Sequence, residues 1–448
     1  MKTIASELCS ASALASTLSG RLERYLTPLL LRLDELLDRR LVQTFASTFC
    51  ILLEQRYRAS GLLLSELGAF LAGFGHAPAG TKRLSNLLRS QRWSATVLED
   101  YLWSTAERQL MDLVCRGREA LLLWDESVWE KPESIALEGL GSVRSAQAAR
   151  LKRIKKGFYT PPGPPVFVPG MQWLSLLLVG RSGPPVLAKM RWWTTRGPHT
   201  EEKRAVEGSL LEQCAAAWGA MVLHVFDRGF AGAPWLAALA QAQVRFVVRW
   251  PRRFHLQDLL LGQEAPAWQH ARGKRTRSRR QIWDAHHQIW RPGGVLALPV
   301  RHPAYPVPLW LVVSRRAKGQ EPWYLLTNEP AETPQQMWQV VFAYARRWQI
   351  EMAFRFTKSE LALESPRLWF WDNRLKLLQM VALVYAFLLS LLDPELKQLR
   401  EALLKGFCPR TGKRSREVST PLYRLRAAIC FLCLSLRTPL LPHFQSSG

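Results

Sequence analysis

Residues 120–127 read ALLLWDES: a short, continuous apolar run that ends at Asp125, the pattern of a strand buried on both faces. A second run, MVLHVF (221–226), ends the same way at Asp227. Between them lie WLSLLLVG and VLAKMRWW, two more strand-like runs, and the helix-like EEKRAVEGSLLEQCAAAWGA; GAPWLAALAQA and RFVVRW follow Asp227. Strands alternating with helices describe an α/β layer whose sheet is covered by helices. Two carboxylates at the ends of buried strands are placed where a sheet can present side chains to a ligand. Taken singly, either Asp is also an ordinary turn or helix-cap residue.

The flanking regions follow different patterns. Residues 1–112 have helical apolar periodicity and few strand signals, so a helical domain is expected there, and TKRLSNLLRSQRW adds Lys82, Arg83, Arg89 and Arg92, which suit either a DNA-binding surface or a solvated helical face. Residues 113–250 read as the first part of an α/β core, and 251–330 as a β-rich insertion of arginine-rich loops and short strands. Residues 331–395 read as the second part of the core, helical from Pro334 beyond Leu363, and 396–448 as a basic, helical C-terminal region. No internal repeat or long low-complexity tract interrupts this order.

Composition narrows the partners. Lys and Arg total 61 against 36 Asp and Glu, a net charge of +25, which favours a polyanion through phosphate contacts and counterion release. The tracts Arg150 to Lys156, Arg272 to Arg280 and Arg410 to Arg416 are candidate phosphate tracks, or solvated loops. Seven scattered cysteines do not form a secreted disulfide framework, so a reducing cytoplasm is expected. Cys430 and Cys433 have metal-knuckle spacing but lie in an apolar run without a second ligand pair, and are read as core thiols. His286 and His287, adjacent on the chain, suit surface or DNA contacts better than convergent ligation. The N-terminus carries Glu7 and lacks a signal-like apolar stretch, and the run Leu377 to Leu392 reads as a buried helix, so no membrane role is expected.

The most specific signal is YARRWQIEMAFRFTK (344–358), in which Tyr344, Arg347, Glu351 and Lys358 are separated by three, four and seven residues. On a regular helix these four fall within an arc of roughly 60°. A carboxylate to hold metal, beside a phenol, a guanidinium and an ammonium to grip flanking phosphates, is what phosphoryl transfer requires. An exposed face with a helical salt bridge from Arg347 to Glu351 has the same spacing.

On these residues the chain resembles insertion-sequence DDE transposases of the class with a Tyr-(2)-Arg-(3)-Glu-(6)-Lys signature, which Tyr344, Arg347, Glu351 and Lys358 meet in full. Asp227-Arg228-Gly229 resembles the second motif of that class. Asp125-Glu126-Ser127 with Lys131 resembles its first, more usually Asp-Asp-Thr, from which Glu126 and Ser127 depart. The resemblance implies an RNase H-like core with the first Asp on the first strand, the second after the fourth, and the Glu on a later helix.

It further implies a cut-and-paste DNA transposase that cleaves transposon ends through a hairpin intermediate and joins them to target DNA. Two Mg2+ ions, for which Mn2+ can substitute, would be held by Asp125, Asp227 and Glu351. Tyr344, Arg347, Lys358, Arg228 and Lys131 would bind DNA phosphates, and Trp283 and Trp290 are candidates to stack a displaced base. Double-stranded DNA, as terminal inverted repeats and target, is the implied partner, with a homodimer in the DNA complex and a bacterial, nucleoid-associated location. The alternatives are an RNase H-like nuclease without strand transfer and a catalytically inactive, transposase-derived DNA-binding protein.

Overall fold

In the computed structural model, residues 2–55, 61–134, 136–146, 164–284, 289–316, 320–409, 412, 421–436 and 440 are described, without the side chains of 2–10 and 284. The tract 150–156, His286 and His287, and all of 410–416 except Gly412 lie outside them.

Five helices come first: α1 (Lys2–Asp34), α2 (Arg39–Glu54), α3 (Leu64–Ala72), α4 (Ala77–Arg89) and α5 (Thr96–Cys115). The apolar runs then form β1 (Ala120–Glu130), β2 (Gly141–Arg144), β3 (Phe167–Gly180) and β4 (Val186–Trp193), followed by α6 (Lys203–Trp218), β5 (Val222–Phe226), α7 (Ala233–Ala242) and β6 (Arg245–Arg249). Strand β1 pairs antiparallel with β3 and parallel with β5, β3 pairs antiparallel with β4, and β5 pairs parallel with β6. The order β4-β3-β1-β5-β6 is that of an RNase H-like sheet, with β1 central.

Alternation along β1 divides the core in two. Leu121, Leu123 and Trp129 face one apolar cluster, and Leu122 and Trp124 face the other, because helices cover both sides and each side chain parity must find an apolar partner. Of the abundant tryptophans, Trp124, Trp129, Trp173, Trp192, Trp193, Trp218, Trp250 and Trp338 are fully buried packing residues.

The β-rich stretch contains β7 (His255–Asp258), β8 (Glu264–Pro266), the short α8 (Ala267–Ala271), β9 (Ser278–Asp284), β10 (Ile289–His302), β11 (Tyr305–Arg315) and β12 (Trp323–Thr327). It continues the same sheet, since β12 pairs with β6, β11 with β12 and β10 with β11, giving twelve strands among the described residues.

The chain closes with α9 (Pro334–Ala345), α10 (Trp348–Ser359), α11 (Trp371–Ser390), α12 (Lys397–Phe407) and α13 (Leu422–Leu436). The expected uninterrupted helix from Pro334 beyond Leu363 is corrected here. The N–H groups of Arg347, Gln349 and Ile350 bond to carbonyls three residues back, so the chain tightens into a 3-10-like turn that separates α9 from α10, and α10 ends at Ser359.

Helix α11 is long and apolar enough to cross a membrane, yet 89% of its apolar window is buried inside the protein. Its Arg374 donates to the carbonyls of Leu368 and Glu138, leaving only its Nε without an acceptor, and its Lys376 donates to those of Leu88 and Ser90, so both buried cations are held by protein carbonyls. Cys430 and Cys433 are buried in α13.

At the end of α2, buried Glu54 accepts the Leu440 N–H at 3.0 Å, and burial pushes its carboxyl from 4.5 up to about 7. A raised acid contributes stability that is full below its unfolded value and is lost as pH rises through its folded value. Thermal unfolding at pH 5.5 and 8.5 should therefore show Glu54→Gln gaining on the parent at the higher pH, by up to about 2 kcal/mol. Equal pH slopes in the two proteins would show that Glu54 is not held neutral.

Candidate active site

The parallel pairing of β1 with β5 places Trp124 opposite Phe226, so Asp125 and Asp227 stand side by side where β5 ends; the expected strand end at Asp125 is corrected, because β3 pairs with β1 along all of Ala120–Glu130 and carries the strand past it. Adjacent strands are about 4.8 Å apart, close enough for both carboxylates to act on one ligand. Strand β1 continues beyond β5, and its pleat sends Asp125 to the face covered by α9 and α10. Glu126, of opposite parity, lies on the other face, where Lys203 of α6 pairs with it. Lys203 also stands 3.5 Å from buried Glu207. The departure at Glu126 is thus a carboxylate turned away from Asp125 and occupied elsewhere.

The tight turn between α9 and α10 inserts Arg347 among the acids. Its guanidinium donates to Asp125 at 2.8 Å, bonds Glu351 one turn later, and lies 3.8 Å from Asp227. Its side chain is only 11% exposed. Burial alone would lower its affinity for a proton, but Tyr344, Asp227, Asp125 and Glu351 together outweigh that and keep it firmly charged. The Tyr344 hydroxyl donates to Asp227 at 3.3 Å, and burial, aided by Asp227, pushes the phenol up to about 12, so it remains a donor.

Burial also pushes Asp125 up to about 7, against the pull of Arg347, with Asp227 and Glu351 raising it further. Three acids therefore converge on a single positive group. Among the described residues no three Asp, Glu, His or Cys side chains gather at metal-ligand spacing, because the guanidinium stands between these. The donor set nonetheless suits a hard divalent cation: three carboxylates, Asp125 within β1, Asp227 after β5, and Glu351, which is 58% exposed and held by Arg347.

The phosphate-binding candidates divide. Arg228, in the turn after Asp227, is exposed. Lys358 donates to the Val128 carbonyl and pairs with Glu364 at 2.8 Å, which clips α10 to β1. The Lys131 side chain is buried, 3.7 Å from Glu133 and over the Trp129 ring. Lys131 and Lys358 share the lining of a cavity of about 550 Å³ with Glu133, Glu364 and Arg367. Arg367 carries no motif, and nothing in the sequence around it distinguishes it.

Another residue missed in the sequence is Trp323, whose ring meets that of Tyr344 at 5.0 Å and carries the Arg316 guanidinium at 4.6 Å. Trp283 and Trp290 instead face each other across the β9–β10 hairpin, with ring centroids 5.4 Å apart.

Among curated proteins none matches the sequence. Seven chains of solved structures match. One belongs to the cryo-EM structure of the piggyBac transposase synaptic complex with hairpin DNA, at 13% identity and a TM-score of 0.42, covering 92% of this chain and 78% of that one. A family model described as a Transposase DDE domain matches residues 194–387, less than half of the chain. That span includes Asp227, Tyr344, Arg347, Glu351 and Lys358 but not Asp125. Over residues 194–387 the chain is thus similar to transposase DDE domains.

Proposed function

We propose that the chain is a DNA transposase that cuts phosphodiester bonds at the ends of a mobile element and joins the freed ends to target DNA. The observation that carries this reading is the convergence of Asp125, Asp227 and Glu351 around Arg347 where β5 ends. Asp125, Asp227 and Glu351 would hold two divalent ions, Mg2+ or Mn2+, which supply activation of water or a 3′-hydroxyl and stabilisation of the leaving oxygen. Arg347 balances the acids before metal and DNA enter. Once displaced from the acids, its planar fork is suited to a phosphate. Tyr344 fixes the orientation of the Asp227 carboxylate. Arg228 is exposed beside it to meet a phosphate, while Lys358 and Lys131 line the neighbouring cavity, where a phosphate would have to draw them from Glu364 and Glu133.

The finer steps belong to the same reading: nicking at terminal inverted repeats, a hairpin on the element end, cut-and-paste excision and attack by the 3′-hydroxyl. So do a homodimer that holds two ends and a bacterial, nucleoid-associated setting. Incubation with Mg2+ and DNA carrying the inverted repeats that flank the gene should yield nicked, hairpin and joined products. Cutting without joining reduces the reading to a nuclease, and binding without cutting reduces it to a DNA-binding protein.

The net charge of +25 leads to a second expectation, that affinity for such an end falls steeply between low and moderate salt. Each phosphate contact adds a slope of about −0.9 in log affinity against log salt. A nearly flat response in a binding titration would show that the charge serves another purpose.

A further inference from the structure

A second cavity, of about 570 Å³, opens away from the carboxylates and is lined by Arg252, Arg253, Arg272 and Arg315 together with Trp268 and Tyr324. No carboxylate lines it, and among the described residues none of the four arginines is ion-paired. The nearest acid to affect Tyr324 is Glu321, outside the lining. Arg252, Arg253 and Arg272 are exposed and Arg315 partly so, which leaves four guanidiniums around one hollow open to an anion. Trp268 is 39% exposed, and Tyr324 is partly exposed, so aromatic surface is offered beside the charge.

The cavity is built into the fold. The Trp268 N–H donates to the Arg252 carbonyl at 3.1 Å, Arg315 donates to the Ala271 carbonyl at 2.7 Å, and the Trp250 N–H donates to the Tyr324 carbonyl at 2.8 Å. Topology also sets its position. Strands β5 and β6 run parallel, so Arg252 and Arg253 follow β6 on the edge where Asp227 follows β5. Strand β12 is antiparallel to β6 and β11 to β12, which returns Tyr324 and Arg315 to that same edge. At about 4.8 Å per strand, the backbones of Tyr324 and Arg315 lie roughly 10 to 14 Å along the edge from that of Asp227, with the Tyr324 ring against the apolar cluster on the face opposite to Asp125.

We propose that this cavity holds an unpaired nucleotide of the DNA strand, its phosphate among the four arginines and its base against Trp268 and Tyr324. The hollow is too small for a duplex, and an aromatic face accepts any exposed base. The assignment rests on the transposase reading for its substrate, but it is tested without cleavage. In the absence of divalent metal, binding of the full chain is compared for a blunt duplex and the same duplex with a single-stranded thymidine tail. Arg252→Gln with Arg253→Gln, and separately Trp268→Leu, should weaken tailed DNA about tenfold and leave blunt DNA within about twofold. A 5-iodouracil in the tail should photocross-link to the peptide holding Trp268 or Tyr324. Equal losses on both probes, or no loss and no such cross-link, would overturn the site. A failure of the catalytic reading would appear instead as absent Mg2+-dependent cutting, with the tail preference retained.

Discussion

Replacing Asp227 with Asn should lower Mg2+-dependent cutting of a cognate end by at least about a thousandfold, some 4 kcal/mol of barrier, with end binding kept. The same is expected of Asp125→Asn and Glu351→Gln, because each amide preserves shape and loses the charge that attracts metal. The three should differ in stability, and that difference shows whether the fold or the chemistry has been hit. Asn at 227 still accepts the Tyr344 hydroxyl, and Glu351 is more than half exposed, so both variants should unfold near the parent temperature. Asp125 is buried and bonded to Arg347, so Asp125→Asn gives up a charge-assisted bond but also removes a carboxyl that burial has already pushed up to about 7. The two effects oppose one another, and only a small net change should remain. Cleavage retained by any one variant removes that residue from the triad. Cleavage and end binding lost together point to damage other than lost metal binding.

The second large effect concerns Arg347. Arg347→Ala leaves three acids facing one another around the space of the lost guanidinium, of which only Asp125, at 17% exposed, is largely shielded from water. Removing one partner of a buried ion pair typically costs about 3 to 5 kcal/mol; the lower end is expected here, since Glu351 is exposed and screened. The loss should be largest in EDTA and should shrink when Mg2+ or Mn2+ is added, because the ion supplies the missing positive charge and its binding is linked to folding. The parent should gain less from the same metal, as its acids are already balanced. Arg347→Lys retains a charge but not the fork that reaches several acids, so it should fall between the two. Thermal unfolding of the three proteins with and without metal is sufficient. A deficit in Arg347→Ala that is the same in EDTA and in Mg2+ would show that these acids do not share a cation site.

Much of the fold was written in local pattern. The apolar runs ending at Asp125 and Asp227 are strands because a sheet covered on both faces needs both side chain parities apolar, and ALLLW and VLHVF supply that without help from distant residues. The helices α6, α7 and α11 are likewise legible from periodicity, which depends on neighbours three and four positions away. The break at Arg346 and Arg347 was not legible, because nothing in YARRWQIEMAF is a helix breaker. The turn tightens where Arg347 is held by Asp125 and Asp227, partners more than a hundred residues distant.

By itself the sequence determined the strand and helix types around the carboxylates, the position of Asp227 at the end of β5, and the basic balance that calls for a polyanion, whereas the pairing with β3 that carries β1 past Asp125 was not in it. The first three follow from short-range spacing or from composition. Only the tertiary structure decided that Arg347 stands between the acids, that Glu126 turns to Lys203 on the opposite face, and that Trp323 meets Tyr344. It also joined the β-rich stretch to the core sheet and drew Arg252, Arg253, Arg272 and Arg315 around one hollow. The reason is common to all of them: charge pairing and ring contact act over a few ångströms through space, and that proximity is created by strand order and chain closure, which no local window of residues contains.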